Sequence, residues 1–245
     1  MSVRVTFVGS GDAFASGGRF QACLHLAGGH EPLLFDCGAT TLAALKRLAI
    51  DPGSLGHIAL SHLHGDHFAG LPWVILDGQF AKRSKPLVIA GPEGVRDRVE
   101  RTFELLYPGA TEAERPFETS FVEFTAGVPL EFGPAWLTAF AVEHSSGTRP
   151  HALRVEYGGR VIAYSGDTEW TDTLPELARG ADLFVCECNF FDKQAPGHLD
   201  YHTLMEKRSM LEARRIVITH MSEDMLGHLA EIELEPAADG AVIEV

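Results

Sequence analysis

Residues 61–70 read SHLHGDHFAG, which places three histidines and an aspartate within six positions, directly after the apolar run Ile58-Ala59-Leu60. A strand end this crowded with imidazole and carboxylate donors limits the scaffold, because side chains left there without partners lose hydration for nothing in return. Imidazole nitrogen and carboxylate oxygen together suit zinc, and also manganese or iron. In an extended loop alternate residues face the same way, so His62, His64 and Asp66 share one side while His67 takes the other. One short segment can thus serve two metals, with His62 and His64 on one and Asp66 and His67 on the other.

Two metals need more donors than these four, and the chain supplies candidates in matching places. His144 follows a strand ending at Val142. Asp167, within YSGDT, follows the strand Val161–Tyr164. His220, within ITHMS, follows Ile216–Thr219. Each lies just past an apolar strand, as the first cluster does, so all of them can gather at one sheet edge.

The remaining elements fit that picture. Strands are predicted at Val3–Val8, Leu33–Asp36, His57–Leu60, Pro86–Ala90, Trp136–Val142, Leu153–Tyr157, Val161–Tyr164, Leu183–Cys186 and Ile216–Thr219. Helices are predicted at Thr41–Ala49, Phe68–Phe80, Gly94–Leu106, Thr173–Ala178 and Tyr201–Ala213. Alternation of the two, with mid-chain turns such as Tyr157-Gly158-Gly159-Arg160, predicts an α/β protein with two mixed sheets. No linker, low-complexity tract or short repeat interrupts residues 1–245, which read as one domain.

Composition narrows the partners. Lysine and arginine number 20 against 34 aspartates and glutamates, a net charge of −14 that disfavours a large polyanion, whose binding draws on basic contacts to phosphates. No apolar run approaches the ~18 residues of a membrane span. The opening MSVRVTF reads as a first strand and not a signal peptide. Cys23, Cys37, Cys186 and Cys188 lack disulfide-framework or zinc-ribbon spacing, and read as free thiols of a cytoplasmic protein.

His-x-His-x-Asp-His, a histidine after a strand, Ser-Gly-Asp-Thr and a late Thr-His together resemble the metallo-β-lactamase superfamily. FVGSGDAF and LLFDCGATT resemble the opening strands and loops of that fold, with Asp36 in the place of a carboxylate that orients a ligand. LSHLHGDHFAGLP and VIAYSGDT are most similar to the branch holding ribonuclease Z and related phosphodiesterases. The resemblance implies a four-layer αβ/βα sandwich with two divalent metals, zinc before manganese or iron, in the groove between its sheets. It implies one metal on His62, His64 and His144, a second on Asp66, His67 and His220, and Asp167 bridging them. The activity it implies is hydrolysis by a metal-bridging hydroxide, which Asp66 could also orient.

An alkoxide leaving group also needs a proton. The segment CECNFFDKQAPGHLDYHTL offers Glu187, His198 and His202. In the phosphodiesterase branch a glutamate after the bridging aspartate pairs with a histidine that opens the last helix. Glu187 fits the first place, and His198 fits the second better than His202. Cys186 and Cys188 face away from Glu187 and read as core thiols. His25, His30, His57 and His228 carry no motif, while His151 is near enough to His144 to line a pocket. Gly9-Ser10-Gly11 reads as a tight turn.

Ribonuclease Z enzymes carry an extended arm between the post-strand histidine and the bridging aspartate. Here 22 residues separate His144 from Asp167, and they read as a plain hairpin. With the acidic charge, that argues against transfer RNA and for a small-molecule ester, such as a cyclic nucleotide or cyclic phosphate. A lactone, thioester or β-lactam hydrolase on the same metals is the alternative. A metal-stabilised ligand-binding protein without turnover is a third reading. The resemblance also admits a homodimer.

Overall fold

The computed structural model describes residues 2–28 and 30–245. Its first half supplies β1 (Arg4–Gly9), β2 (Cys23–Ala27), β3 (Leu33–Phe35), α1 (Thr41–Arg47), β4 (His57–Ala59), α2 (Gly65–Phe68), α3 (Leu71–Phe80), β5 (Leu87–Gly91), α4 (Val95–Leu106) and β6 (Thr119–Glu123). The second half supplies β7 (Leu130–Phe132), β8 (Ala135–Ala141), β9 (His151–Tyr157), β10 (Arg160–Tyr164), α5 (Thr173–Ala178), β11 (Leu183–Glu187), α6 (Tyr201–Lys207), β12 (Ile216–Thr219), α7 (Glu223–Gly227), β13 (Glu235–Pro236) and β14 (Val242–Glu244). They form two seven-stranded sheets, ordered β14-β1-β2-β3-β4-β5-β6 and β13-β12-β11-β10-β9-β8-β7.

Side-chain alternation explains the layering. On β1, Val5 and Phe7 face a core shared by both sheets, whereas Val8 faces a second core under α1, α3 and α4. On β11, Leu183 and Val185 join the shared core, while Phe184 and Cys186 meet a third core beneath α5, α6 and α7. A strand buried on both faces must read as a continuous apolar run, as Leu183–Cys186 does. The result is helix, sheet, sheet, helix, the expected four layers. Each fully buried Leu, Val or Phe contributes about 1.5–3 kcal/mol to holding them together.

Strand direction positions the site. β3, β4, β5 and β6 run parallel, and so do β10, β11, β12 and β13. β8 is antiparallel to β9 and β9 to β10, which aligns β8 with β10. The residues just past β3, β4, β8, β10 and β12 therefore collect at a common edge, where open α/β sheets place their ligands.

Several boundaries differ from the sequence expectation. The predicted helix Phe68–Phe80 is two helices, because Gly70 lies between α2 and α3 with backbone pressed on the first loop. A Cβ there would sit 2.2 Å from the Gly38 carbonyl oxygen, and one on Gly38 would sit 2.2 Å from that of Asp66. The last predicted helix stops at Lys207 and continues only as a 3-10 turn over Arg208–Met210. All four cysteines are buried and free. Among the described residues no helix is long and apolar enough to cross a membrane.

Candidate metal centre

The His-x-His-x-Asp-His segment changes conformation midway. His64 is still extended, at φ −80° and ψ 150°, but Gly65 opens α2, so Asp66 and His67 ride on a helical turn. The separation of the first two histidines from the next two donors thus comes from a bend from extended to helical backbone, and not from the alternation of a wholly extended loop. One donor atom each from His62, His64 and His144 lies within 4.8 Å of the others, and the same holds for Asp66, His67, Asp167 and His220. Asp167 touches both groups: Oδ1 is 3.2 Å from His67 Nε2, while Oδ2 is 3.3 Å from His220 Nε2 and 3.8 Å from both His62 Nε2 and His144 Nε2.

Neighbours fix which nitrogen of several rings faces the cluster. His144 Nδ1 donates to the Gly197 carbonyl at 2.7 Å, leaving Nε2 toward the centre. His67 Nδ1 meets Asp36 Oδ2 at 2.7 Å. Asp36 is itself held by the Ser61 amide at 2.7 Å, the Ser61 hydroxyl at 2.9 Å and the Tyr164 hydroxyl at 2.8 Å. A carboxylate behind a ligating imidazole sets its orientation and basicity. Asp36→Asn is therefore expected to weaken metal binding roughly 10–100-fold in chelator competition, with the fold retained.

Two of these residues sit in strained backbone. Asp36 has φ 58° and His220 has φ 59°, a region that few non-glycine residues occupy. His220 is kept there by its amide donating to the Ser10 carbonyl at 3.2 Å and its own carbonyl accepting from Asn189 Nδ2 at 3.0 Å. Strain of this kind persists where the surroundings over-determine it, commonly at functional sites.

The donor set fits divalent cations. His62 Nε2, His67 Nε2 and Asp167 Oδ1 are buried with no hydrogen-bond partner. Asp36, Asp66 and Asp167 are all buried, and among the described residues their ion pairs are to histidines alone. Burial alone would raise Asp167, but His220 and His67 hold its carboxyl well below the usual range. Burial opposes charge on His67 too, yet Asp167, Asp66 and Asp36 raise it well above an ordinary imidazole. A pocket with this much buried negative charge calls for positive charge. Desolvation pushes His62 well down, so that its ring is neutral and free to ligate.

Glu187 and His198 adjoin the cluster. Glu187 is wholly buried at the end of β11, where its carboxylate accepts from the Thr168 amide, from the Leu199 amide at 3.3 Å and from His198 Nδ1 at 3.3 Å. Burial raises the Glu187 carboxyl. Burial also disfavours charge on His198, but the hydrogen bond and charge of Glu187 outweigh it and raise the ring to about 9. The His198 ring stands 4.8 Å from that of His144 and 5.9 Å from that of His220. His202 instead lies exposed on α6 against Phe191. His151 is buried within β9, edge-on to Phe124, and does not line the cavity over the metal donors. Ser61, Tyr164, Asn189 and the Gly197 carbonyl were not anticipated.

The beta-lactamase superfamily domain matches residues 32–221, and the chain belongs to that family. Its fold is the metallo-β-lactamase fold: the metallo-beta-lactamase fold protein YhfI of Bacillus subtilis superposes with a TM-score of 0.81 at 23% identity, covering 100% of both chains. The short form of human tRNase Z superposes with a TM-score of 0.79 at 27% identity, covering 98% of each chain. Ribonuclease BN of Citrobacter koseri is 29% identical over 242 residues, covering 77% of this chain and 78% of that one.

These relatives overturn one expectation, that transfer RNA is not a partner and a small-molecule ester is. Residues 151–164 do form the bare β9–β10 hairpin. Yet the chain matches proteins named ribonuclease BN and tRNase Z over most of their lengths. A net charge of −14 is a property of the whole chain, and does not fix the potential in one groove.

Proposed function

We propose that this chain is a metal-dependent phosphodiesterase acting on RNA, the substrate class that the names of its relatives suggest. The observation that carries the reading is the Glu187–His198 pair beside seven clustered metal donors. His62, His64 and His144 would hold one cation, Asp66, His67 and His220 the other, and Asp167 would reach both. Zinc suits this nitrogen-rich set. Two such cations supply an activated water at neutral pH and Lewis acidity toward a phosphoryl oxygen.

The chain's own groups do the rest. Asp36 keeps the His67 ring turned so that Nε2 faces inward. His198 donates a proton to the departing alkoxide oxygen, and Glu187 holds that ring by Nδ1 so that its other nitrogen is free to do so. Asp66 stays ionised, since His67 outweighs the cost of burying it, and it orients the attacking water. A sugar alkoxide is a poor leaving group, so an acid beside the metals favours phosphodiester over thioester chemistry, whose thiolate leaves without a proton.

The test is metal content per chain, with cleavage of a transfer RNA transcript and of bis(p-nitrophenyl) phosphate measured beside a lactone and a thioester. About two metals per chain and hydrolysis of the phosphodiesters well above the metal-free control are expected. Turnover of the lactone or thioester alone moves the assignment to acyl chemistry, and failure to take up metal on reconstitution sinks it.

A further inference from the structure

Phe14 is the most exposed large apolar side chain among the described residues, at 89%. Its position is the informative part. It lines the cavity of about 570 Å³ that also contains His64, Asp66, Asp167 and His198. Phe80, Leu105 and Trp136 are exposed as well, but none of them lines that cavity.

The loop that presents Phe14 is built to hold it outward. Asp12, itself buried, accepts from the Phe14 amide at 3.2 Å and the Ser16 amide at 2.9 Å, and its second oxygen accepts from the Ser16 hydroxyl at 2.8 Å. Ala15 is left-handed, at φ 57° and ψ 40°, strain that an alanine does not adopt without cause. The Gly17 amide donates to Glu223 at 2.8 Å, tying the loop to α7.

The acidic rim is engaged too. Asp12 and Glu223 bind this loop, and Asp224 accepts from the Phe191 amide at 2.9 Å. Phe190 lines the same cavity, but its ring already has partners: the Lys193 ammonium stands 4.7 Å from its centre and His198 meets it edge-on at 6.4 Å. Phe14 thus offers an exposed aromatic face beside the reacting centre, carried on an anchored loop and without an aromatic or cationic partner among the described residues.

We infer that Phe14 is the platform on which a nucleobase next to the cleaved phosphate stacks, and so a specificity-determining residue. The inference rests on the phosphodiesterase reading, since only then does the substrate carry a base. Stacking on an aromatic side chain is tolerant of base identity, because every base has a π-face.

The test compares wild type, Phe14→Ala and Phe14→Tyr in the metal-loaded protein. Calorimetric titration with adenosine and cytidine monophosphates gives binding directly. The ratio of kcat/KM for a nucleoside p-nitrophenyl phosphate to that for methyl p-nitrophenyl phosphate gives the base's contribution to turnover. Phe14→Ala is expected to weaken nucleotide binding about tenfold and to lower the ratio by a similar factor, with Phe14→Tyr restoring both. Unchanged binding and ratio in Phe14→Ala, or wild type that binds neither nucleotide, overturns the platform whether or not phosphodiesters are hydrolysed. Nucleotide binding that weakens in Phe14→Ala while no phosphodiester is cleaved overturns the phosphodiesterase reading instead, and leaves the platform standing.

Discussion

Asp167→Asn is expected to lower bound metal from about two per chain to one or fewer and to reduce phosphodiester hydrolysis by roughly 10³-fold or more. The reason is geometric. Among the described carboxylates Asp167 is the one whose ion pairs reach both donor groups, with Oδ1 on the His67 side and Oδ2 within 3.8 Å of His62, His144 and His220. Asparagine keeps the volume but replaces one anionic oxygen with an amide nitrogen that cannot ligate. It also removes a buried negative charge that Asp36 and Asp66 otherwise oppose.

That charge separates a ligand from a structural role. Without metal, His220 and His67 hold the Asp167 carboxyl well below its usual range, so the ionised group stabilises the folded chain at neutral pH and metal-free Asp167→Asn should melt below metal-free wild type. Loaded with metal, the gap should widen, because cation binding stabilises most the chain that can hold both ions, whereas a purely structural role would leave it unchanged. Elemental analysis and melting curves with and without chelator decide the matter. Full metal content with activity within tenfold of wild type would remove Asp167 from the bridging role.

The parts of the site legible in the sequence share one property: their donors are set by local chain. His62 through His67 are near neighbours, and His144, Asp167 and His220 each lie within three residues of the end of an apolar strand. Since β8, β10 and β12 point the same way within their sheet and the donors after them meet those after β4, local position became spatial convergence. The helical turn inside the cluster was not legible, because Gly65, Asp66 and His67 have weak helix propensity and α2 is held by packing against Gly38. β2 was missed because the buried His25 breaks its apolar run. β6 was missed because an edge strand need not bury its residues. The Ser61, Tyr164 and Asn189 contacts, and the exposure of Phe14, depend on chain segments far apart in sequence. No local pattern encodes them.

Glu187 and His198 are expected to act on the leaving group alone, which makes their variants selective. His198→Ala should slow cleavage of an RNA linkage, which expels a sugar alkoxide, by about 10²–10⁴-fold. The same variant should change bis(p-nitrophenyl) phosphate hydrolysis far less, because nitrophenolate departs without a proton. Glu187→Gln should follow the same split more weakly. Its one amide oxygen can accept from either the Thr168 or the Leu199 amide, which bond different oxygens of the carboxylate, and it no longer carries the charge that favours a proton on His198. One confounding path runs through the chain itself: His198 adjoins Gly197, whose carbonyl holds the His144 ring. Metal content must therefore be measured on the same samples. Retained metal with a rate loss confined to the alkoxide leaving group assigns His198 as the proton donor. Equal loss on both substrates, or loss of the metal that His144 would bind, means that the Glu187–His198 pair positions a ligand instead.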